Sequence, residues 1–385
     1  MKIGILGAGF MGKEAAMDAL NSEAVEMVGL ADIEMDHVYD LVELAQSEKL
    51  FPFKVDATHT EELENFMKQF DVVINALFYS FNETVAKVGI DVGTHVIDLG
   101  GHIGDVTDNV LRLNDEAVEK GITIIPDLGV APGMINILTG YGASKLDKVE
   151  MIKLYVGGIP IRPEAPLGYH HVFSMEGLLD HYTDPSTIIR NGKREDVLSL
   201  SEPEEIYFEK FGPLEAFHTS GGTSTLLDSF SNVHTLEYKT IRYPGHREKF
   251  QLFVDLQMTD RYLFVELEDD QYVKPREVLL KVLEPFVDPT DKEDVVLLKA
   301  YISGKQANID TLLSYELITY YDKERARTAM SQVTGATVSI VAQLIANGTI
   351  TKRGVVPPEK IVPGKQYIAA LKERGIHIKE HKMAF

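Results

Sequence analysis

The chain has 385 residues, 44% hydrophobic and 25% charged, with 59 acidic against 38 basic side chains and a net charge of −21. That sign repels phosphate backbones and argues against nucleic acid as a partner, while the absence of cysteine excludes disulfides, thiolate nucleophiles and cysteine metal sites. The length calls for two domains.

From the N-terminus, KIGIL (2–6) reads as an apolar strand, GAGFMG (7–12) as a turn and KEAAMDAL (13–20) as a helix. No signal-peptide pattern precedes that strand and no apolar run looks long enough to cross a bilayer, so a cytoplasmic protein without a membrane is expected. EMVGLAD (26–32) is a second strand, and 35–49 is a helix with apolar residues at helical spacing. FPFKVDA (51–57) is a third strand, and Thr58 with Glu61 makes a capping-box pattern for the helix after it. DVVINAL (71–77), a helix near 83–92, HVIDLGG (95–101), a helix near 108–120 and ITIIPDLG (122–129) complete six strand–helix alternations. Such alternation implies an α/β fold: a doubly wound parallel sheet of the dinucleotide-binding kind.

Beyond about residue 140 the pattern changes. VEMIKLYVGGI (149–159), EYKTIRYPGH (237–246), KFQLFVDLQM (249–258), RYLFVELE (261–268), VVLLKAYISG (295–304) and TLLSYELITYYD (311–322) read as mostly extended segments of a mixed or antiparallel sheet. The predicted domains are therefore 1–140 for the dinucleotide and 141–325, an α+β domain, for substrate. A helical tail, 326–385, is expected to pack back on the first; within it GATVSIVAQLIANG (335–348) has an apolar stripe and an Asn-Gly stop.

Gly7, Gly9 and Gly12 form G-x-G-x-x-G after a strand and before a helix, and Asp32 lies 20 residues beyond Gly12. This is the dinucleotide fingerprint in its context, with Ala8, Phe10 and Met11 completing the loop. Asp32 accepts from ribose hydroxyls and repels a 2′-phosphate, and the following IEMDH brings no Lys or Arg, so NAD is expected over NADP. Asp56 either approaches the adenine or only enters a helix. At the carboxyl ends of strands four to six stand Asn75, Ala76, Leu77 and Tyr79, then Asp98 and His102, then Asp127; ligands bind at such ends.

FHTSGGTSTL (217–226) has neither strand alternation nor a helical stripe. Its glycine pair between hydroxyls, after His218, reads as a ligand-touching loop. YHHVFSMEGLLDHYTDP (169–185) offers His170, His171, Glu176, Asp180 and His181 without metal-ligand spacing, so no metal is expected. Arg242 and His246 close an extended segment; Arg242 is either a bidentate carboxylate holder or a surface ion pair.

Together GAGFMG, PDLGVAPGMIN (126–136), FSMEGLLDHYTDPS (173–186), FHTSGGTSTL, KTIRYPGH (239–246), GATVSIVAQLI (335–345) and GVVPPE (354–359) resemble the saccharopine dehydrogenase-like family over nearly the whole chain. NALFYSFNETVAK (75–87), DLGGHIGDVTD (98–108) and LEAFHTSGGTSTL (214–226) resemble the members that deaminate lysine oxidatively. The resemblance implies hydride transfer from C6 of L-lysine to NAD, ammonia release, and an aldehyde, allysine, that cyclises to a piperideine carboxylate. It also implies a homo-oligomer. Its saccharopine-forming members carry LDPG where this chain has Val130, Ala131, Pro132 and Gly133, so an acidic contact is missing at Ala131. In such a reaction His171 is the first candidate base, with Asp98 and His218 behind it. Arg242 would hold the substrate carboxylate, and Thr219, Ser220, Gly221, Gly222, Thr223 and Tyr79 would line the substrate. A saccharopine-type or carboxynorspermidine-type reductase, and a non-catalytic NAD sensor, are the alternatives.

Overall fold

A computed structural model describes residues 1–100, 105–170, 174–268, 271–287 and 293–385. It separates into two compact units. The first comprises residues 1–145, 224–229 and 331–378, and the second 146–223, 230–330 and 379–385.

The first unit is built on β1 (Lys2–Leu6), β2 (Met27–Asp32), β3 (Leu50–Lys54), β4 (Val72–Asn75), β5 (His95–Asp98) and β6 (Thr123–Ile125). With the short strand Gly354–Val355 they form a seven-stranded parallel sheet. Its spatial order runs β3, β2, β1, β4, β5, β6 and then that short strand. The reversal of order between β1 and β4 opens the crevice in which such sheets bind ligands. Leu63, Phe66, Met67 and Phe70 from one helix–strand connection fill the core with Val73, Val85, Val96 and Ile124. The two-residue seventh strand was too short to read as a strand.

Within the same unit the helical segment after 331 leans on the first helix, Phe10–Leu20. Arg374 pairs with Asp18 at 2.7 Å, and the Thr337 hydroxyl shares a hydrogen bond with Tyr367 at 2.8 Å. The helix Ala329–Ala346 corrects one expectation, because it has both the length and the apolarity to cross a membrane. Most of it is instead buried inside the protein, as a core helix that is apolar all round should be.

The second unit carries a nine-stranded mixed sheet. Its main path runs Glu204–Phe208, Phe211–His218, Thr235–Arg242, Lys148–Pro160, Asp294–Gln306, Ile309–Tyr320 and Lys379–Ala384. Thr235–Arg242 pairs in parallel with Lys148–Pro160 and antiparallel with Phe211–His218. The segment expected to be extended at 249–258 is a helix, His246–Asp255. His246, Phe250, Phe253 and Val254 recur at helical spacing, and Phe250 is wholly buried among Tyr182, Phe217 and Leu279. Of 261–268 only Val265–Glu266 is strand, in a two-stranded hairpin. The capping box at Thr58 is also replaced: helix Thr60–Met67 starts after His59, because the Thr58 hydroxyl donates to Asp56 Oδ1 at 2.6 Å.

Candidate active site

The glycine loop follows β1 directly. A Cβ on Gly12 would sit 1.9 Å from the Gly7 carbonyl oxygen, so the helix approaches the strand only because that position is glycine. Gly7, at φ +98°, makes the turn. A Cβ on Gly9 would meet nothing within 4 Å among the described residues. This open flank lies at the start of helix Phe10–Leu20, whose first turn has no acidic residue and no side-chain cap. The backbone N–H groups of a helix start and its dipole suit an anion. Asp32, at the end of β2, takes the Ala8 N–H at 2.6 Å and the Glu34 N–H at 3.0 Å, so the acidic residue also fixes the loop. Phe10 is 67% exposed beside it. Asp56 is occupied by its own turn: Oδ1 accepts from Thr58, and its N–H donates to Glu62 Oε2 at 2.8 Å. These residues fit a dinucleotide in their open glycine edge, uncapped helix start and acidic strand end.

The carboxyl ends of β4, β5 and β6 bring polar groups together. Asn75 is buried and donates to Asn82 Oδ1 at 2.8 Å. Ala76 abuts Gly7 and Gly12, and the Leu77 N–H reaches Asn75 Oδ1 at 3.3 Å. Tyr79 is half-buried and tilts against Phe78. Asp98 Oδ1 accepts from the Gly100 N–H at 2.8 Å and the Asp127 N–H at 2.9 Å. Burial, and after it the neighbouring Asp127 charge, push the Asp98 carboxyl up to about 7. Asp127 is 0% exposed and takes hydroxyl donors from Thr107, at 3.1 Å, and from Ser224. Ser224 begins the short stretch 224–229 of the first unit, where Thr225 and Ser229 hydroxyls donate to Glu359. Thr107, Ser224 and Glu359 carried no sequence signal beyond residue type.

In the second unit the centre is Arg242, 4% exposed at the end of its strand. Nε donates to Tyr182 Oη at 3.0 Å, Nη1 to the Ile241 carbonyl at 2.9 Å, and the guanidinium lies 4.9 Å over the Tyr169 ring. The chain of donors is determined. His246 Nδ1 is 3.3 Å from the Leu167 carbonyl, which can only accept, so Nδ1 carries the hydrogen. Nε2 then accepts from Tyr182 Oη at 3.0 Å, and Tyr182 in turn accepts from Arg242. Burial, with the Arg242 charge behind it, holds His246 well below the ordinary imidazole range and therefore neutral. Tyr182 was not foreseen; it is read only once helix Met175–Thr183 is packed on the sheet. Among the described residues no carboxylate pairs with Arg242, whereas buried Arg276 pairs with Asp180 and buried Lys239 with Glu204.

The loop 219–223 joins this region in part. Thr219 Oγ1 bonds Thr240 Oγ1 at 2.7 Å, and Thr223 Oγ1 donates to the Thr187 carbonyl at 3.4 Å, so both hydroxyls are tied to protein. Gly221 makes a turn at φ +82°, and a Cβ on Gly222 would meet the Tyr238 ring at 2.1 Å. Ser220 Oγ is buried and has no hydrogen-bond partner among the described residues. His181 Nδ1 donates to the Ser220 carbonyl at 2.8 Å, which puts the imidazole lone pair on Nε2. Asp180 is structural, bound to Arg276 and Arg261. His170 is buried.

His218 requires a correction. The register sets Phe217 opposite Thr240 and His218 opposite Lys239. Side chains alternate along a strand, so His218 faces away from Thr240 and Arg242. Its Nδ1 donates to the Tyr238 carbonyl at 3.1 Å, and Nε2 lies 3.4 Å from Glu202, close enough for an ion pair but without hydrogen-bond geometry. His171 and His102 lie outside the described residues.

Residues 3–125 match the family model for the saccharopine dehydrogenase NADP binding domain, and residues 129–376 that for the saccharopine dehydrogenase C-terminal domain. The chain belongs to the saccharopine dehydrogenase family. Among curated members of that oxidoreductase family, the L-glutamate-forming NADP(+) saccharopine dehydrogenase of Saccharomyces cerevisiae is 23% identical, over 99% of each chain. The mitochondrial alpha-aminoadipic semialdehyde synthase of Bos taurus is 26% identical over 70% of this chain, which spans 30% of that protein's length. The apo structure of the Saccharomyces cerevisiae saccharopine dehydrogenase superposes with a TM-score of 0.80 at 20% identity, covering both chains completely. A homospermidine synthase from Legionella pneumophila in complex with NAD superposes with a TM-score of 0.69 at 13% identity, covering 91% of that chain. Both likenesses confirm the α/β fold with its parallel sheet and second mixed sheet.

Proposed function

We propose that the protein oxidatively deaminates the side-chain amine of L-lysine with NAD, as a lysine 6-dehydrogenase. The observation that carries this reading is Arg242: a guanidinium removed from water, oriented by Tyr182, with no carboxylate beside it among the described residues. A buried cation without a counter-ion costs several kcal/mol, and an amino-acid carboxylate would supply the missing partner. The orphaned Ser220 hydroxyl adds a second polar group for the same end of the substrate.

The glycine loop and Asp32 would hold the dinucleotide, and Asp32 disfavours a 2′-phosphate. When bound, the cofactor accepts a hydride from C6. The chain's own task is to hold the lysine carboxylate, to take a proton from its ammonium, whose ordinary pKa is ~10.4, and to exclude bulk water. Asp98 is the proposed proton acceptor, and His171 the proposed base that activates water. Water then adds to the carbon–nitrogen double bond, ammonia leaves and the aldehyde closes on the α-amine. The assembly is proposed to be a homo-oligomer in the cytoplasm.

A second reading, saccharopine cleavage, is favoured by the end-to-end similarity to the yeast protein. Ala131 and Asp32 weigh against it. The deciding experiment is NADH formation with L-lysine beside ornithine, saccharopine and NADP. Lysine-dependent NADH with ammonia release supports the proposal; turnover of saccharopine alone refutes it.

A further inference from the structure

The buried carboxylates Asp98 and Asp127 stand at adjoining strand ends, and the second is held by hydroxyls from two separate segments, Thr107 and Ser224. Two residues in this cluster, Asp127 at φ +62° and Ser224 at φ +42°, occupy the left-handed region, and they hydrogen-bond to each other. Asp tolerates that region; serine does not do so readily, and glycine would relieve the strain. Left-handed backbone at non-glycine residues costs about 1–3 kcal/mol and persists where the surroundings enforce it. A serine at such a position therefore points to its hydroxyl.

The hydroxyls act on one member of the pair. Thr107 and Ser224 both donate to Asp127, whose charge acts on Asp98. Among the described residues Asp98 accepts from backbone N–H groups, through one oxygen. Among the described residues the charged group acting on Asp98 is Asp127; Asn75, paired with Asp98 across β4 and β5, and Thr107 are neutral. Two carboxylates this close do not ionise independently.

We propose that Ser224 and Thr107 are positioning residues that hold Asp127 as a charged neighbour of Asp98, so that the Asp98 carboxylate takes up the proton lost by the substrate amine. The step balances: an amine N–H bond breaks, an Asp98 O–H bond forms, and the nitrogen keeps the electron pair. The inference rests on the amine-oxidation reading above.

The test is the pH profile of kcat/KM for wild type, S224G and D127N, with infrared titration of the carboxylic-acid band on the same proteins. Ser224→Gly removes the hydroxyl and relieves the strained φ, so a purely structural serine predicts equal or better stability and an unmoved profile. The proposal predicts that the acidic limb moves up, by no more than about one pH unit, because an Asp127 that has lost a hydrogen bond takes a larger share of the pair's proton. Asp127→Asn removes the charge and should move the same limb down. Opposite shifts, mirrored in the infrared titration, support the relay. An unmoved limb and band in both variants, or shifts of the same sign, overturn it. Should wild type oxidise no amine, the amine reading fails by itself, and the infrared titration alone decides whether Ser224 governs the pair.

Discussion

Replacing Arg242 by methionine separates substrate recognition from stability. The guanidinium contributes hydrogen bonds to Tyr182 and Ile241, a long one to Gly158 at 3.5 Å, and a cation–π contact with Tyr169. Hydrogen bonds from a charged donor contribute about 1.5–3 kcal/mol each, while burying the cation without a counter-ion costs several kcal/mol. These terms nearly cancel, so R242M should unfold in urea within about 1 kcal/mol of wild type. A structural arginine in a buried ion pair would behave differently, because removing it strands a buried carboxylate at a cost of about 3–5 kcal/mol. Activity should respond on another scale. Losing a desolvated charge pair with the substrate costs about 2–5 kcal/mol, which is a fall in kcat/KM for lysine of roughly 30- to several-thousand-fold. Pentane-1,5-diamine, which lacks the carboxylate, should lose almost nothing between wild type and R242M. A destabilisation of 3 kcal/mol or more, or equal losses on lysine and the diamine, would refute the assignment.

The other predictions concern the loop and the buried acids. G9A should fold, since its Cβ meets nothing within 4 Å among the described residues, but should bind NADH at least tenfold more weakly by fluorescence titration; G12A should lose both fold and binding, because its Cβ collides with the Gly7 carbonyl. Asp32→Ala should narrow the preference for NAD over NADP in the ratio of kcat/KM values. D180N should cost about 3–5 kcal/mol in urea unfolding, because Arg261 and Arg276 both bind that carboxylate. Asp294 is wholly buried, and its carboxyl is pushed up to about 6 by burial against the opposing donation from the Met330 and Ala329 N–H groups. Its folded value lies above the unfolded one, so the folded state binds the extra proton, and stability falls as pH rises from about 4 to about 6. The roughly two-unit shift corresponds to ~3 kcal/mol, and D294N should lose that share of the pH dependence in denaturant titrations at pH 4 and pH 7.

The fold was legible where periodicity and punctuation agree. The six strands of the first sheet were found with errors of a few residues at their ends, because apolar runs bounded by glycines and acidic helix starts repeat in order. Helix His246–Asp255 was misread because Phe250, Leu252 and Val254 also satisfy an alternating pattern. Only packing shows that Phe250 belongs with Phe253 and Val254 on one helical face. The site was legible by residue type and not by partnership. The hydroxyls of Thr219 and Thr223 look equivalent to that of Ser220 in the sequence, yet among the described residues two are bonded to protein groups and one is not.

His218 and Arg242 show the same gap in its sharpest form. Both are basic, both lie near the ends of neighbouring extended segments, and both were assigned to one site. Which face each side chain takes depends on the pairing of two antiparallel strands, here Phe217 with Thr240, and a shift of one residue would exchange every face. No local pattern encodes that register, since it is set by contacts between segments distant in sequence. It assigns His218 to the Glu202 side and leaves Arg242 with Tyr182 and His246, a histidine that burial keeps neutral. Among the described residues on that face the charge available for a carboxylate therefore rests on Arg242, and a protonated His246 does not share it.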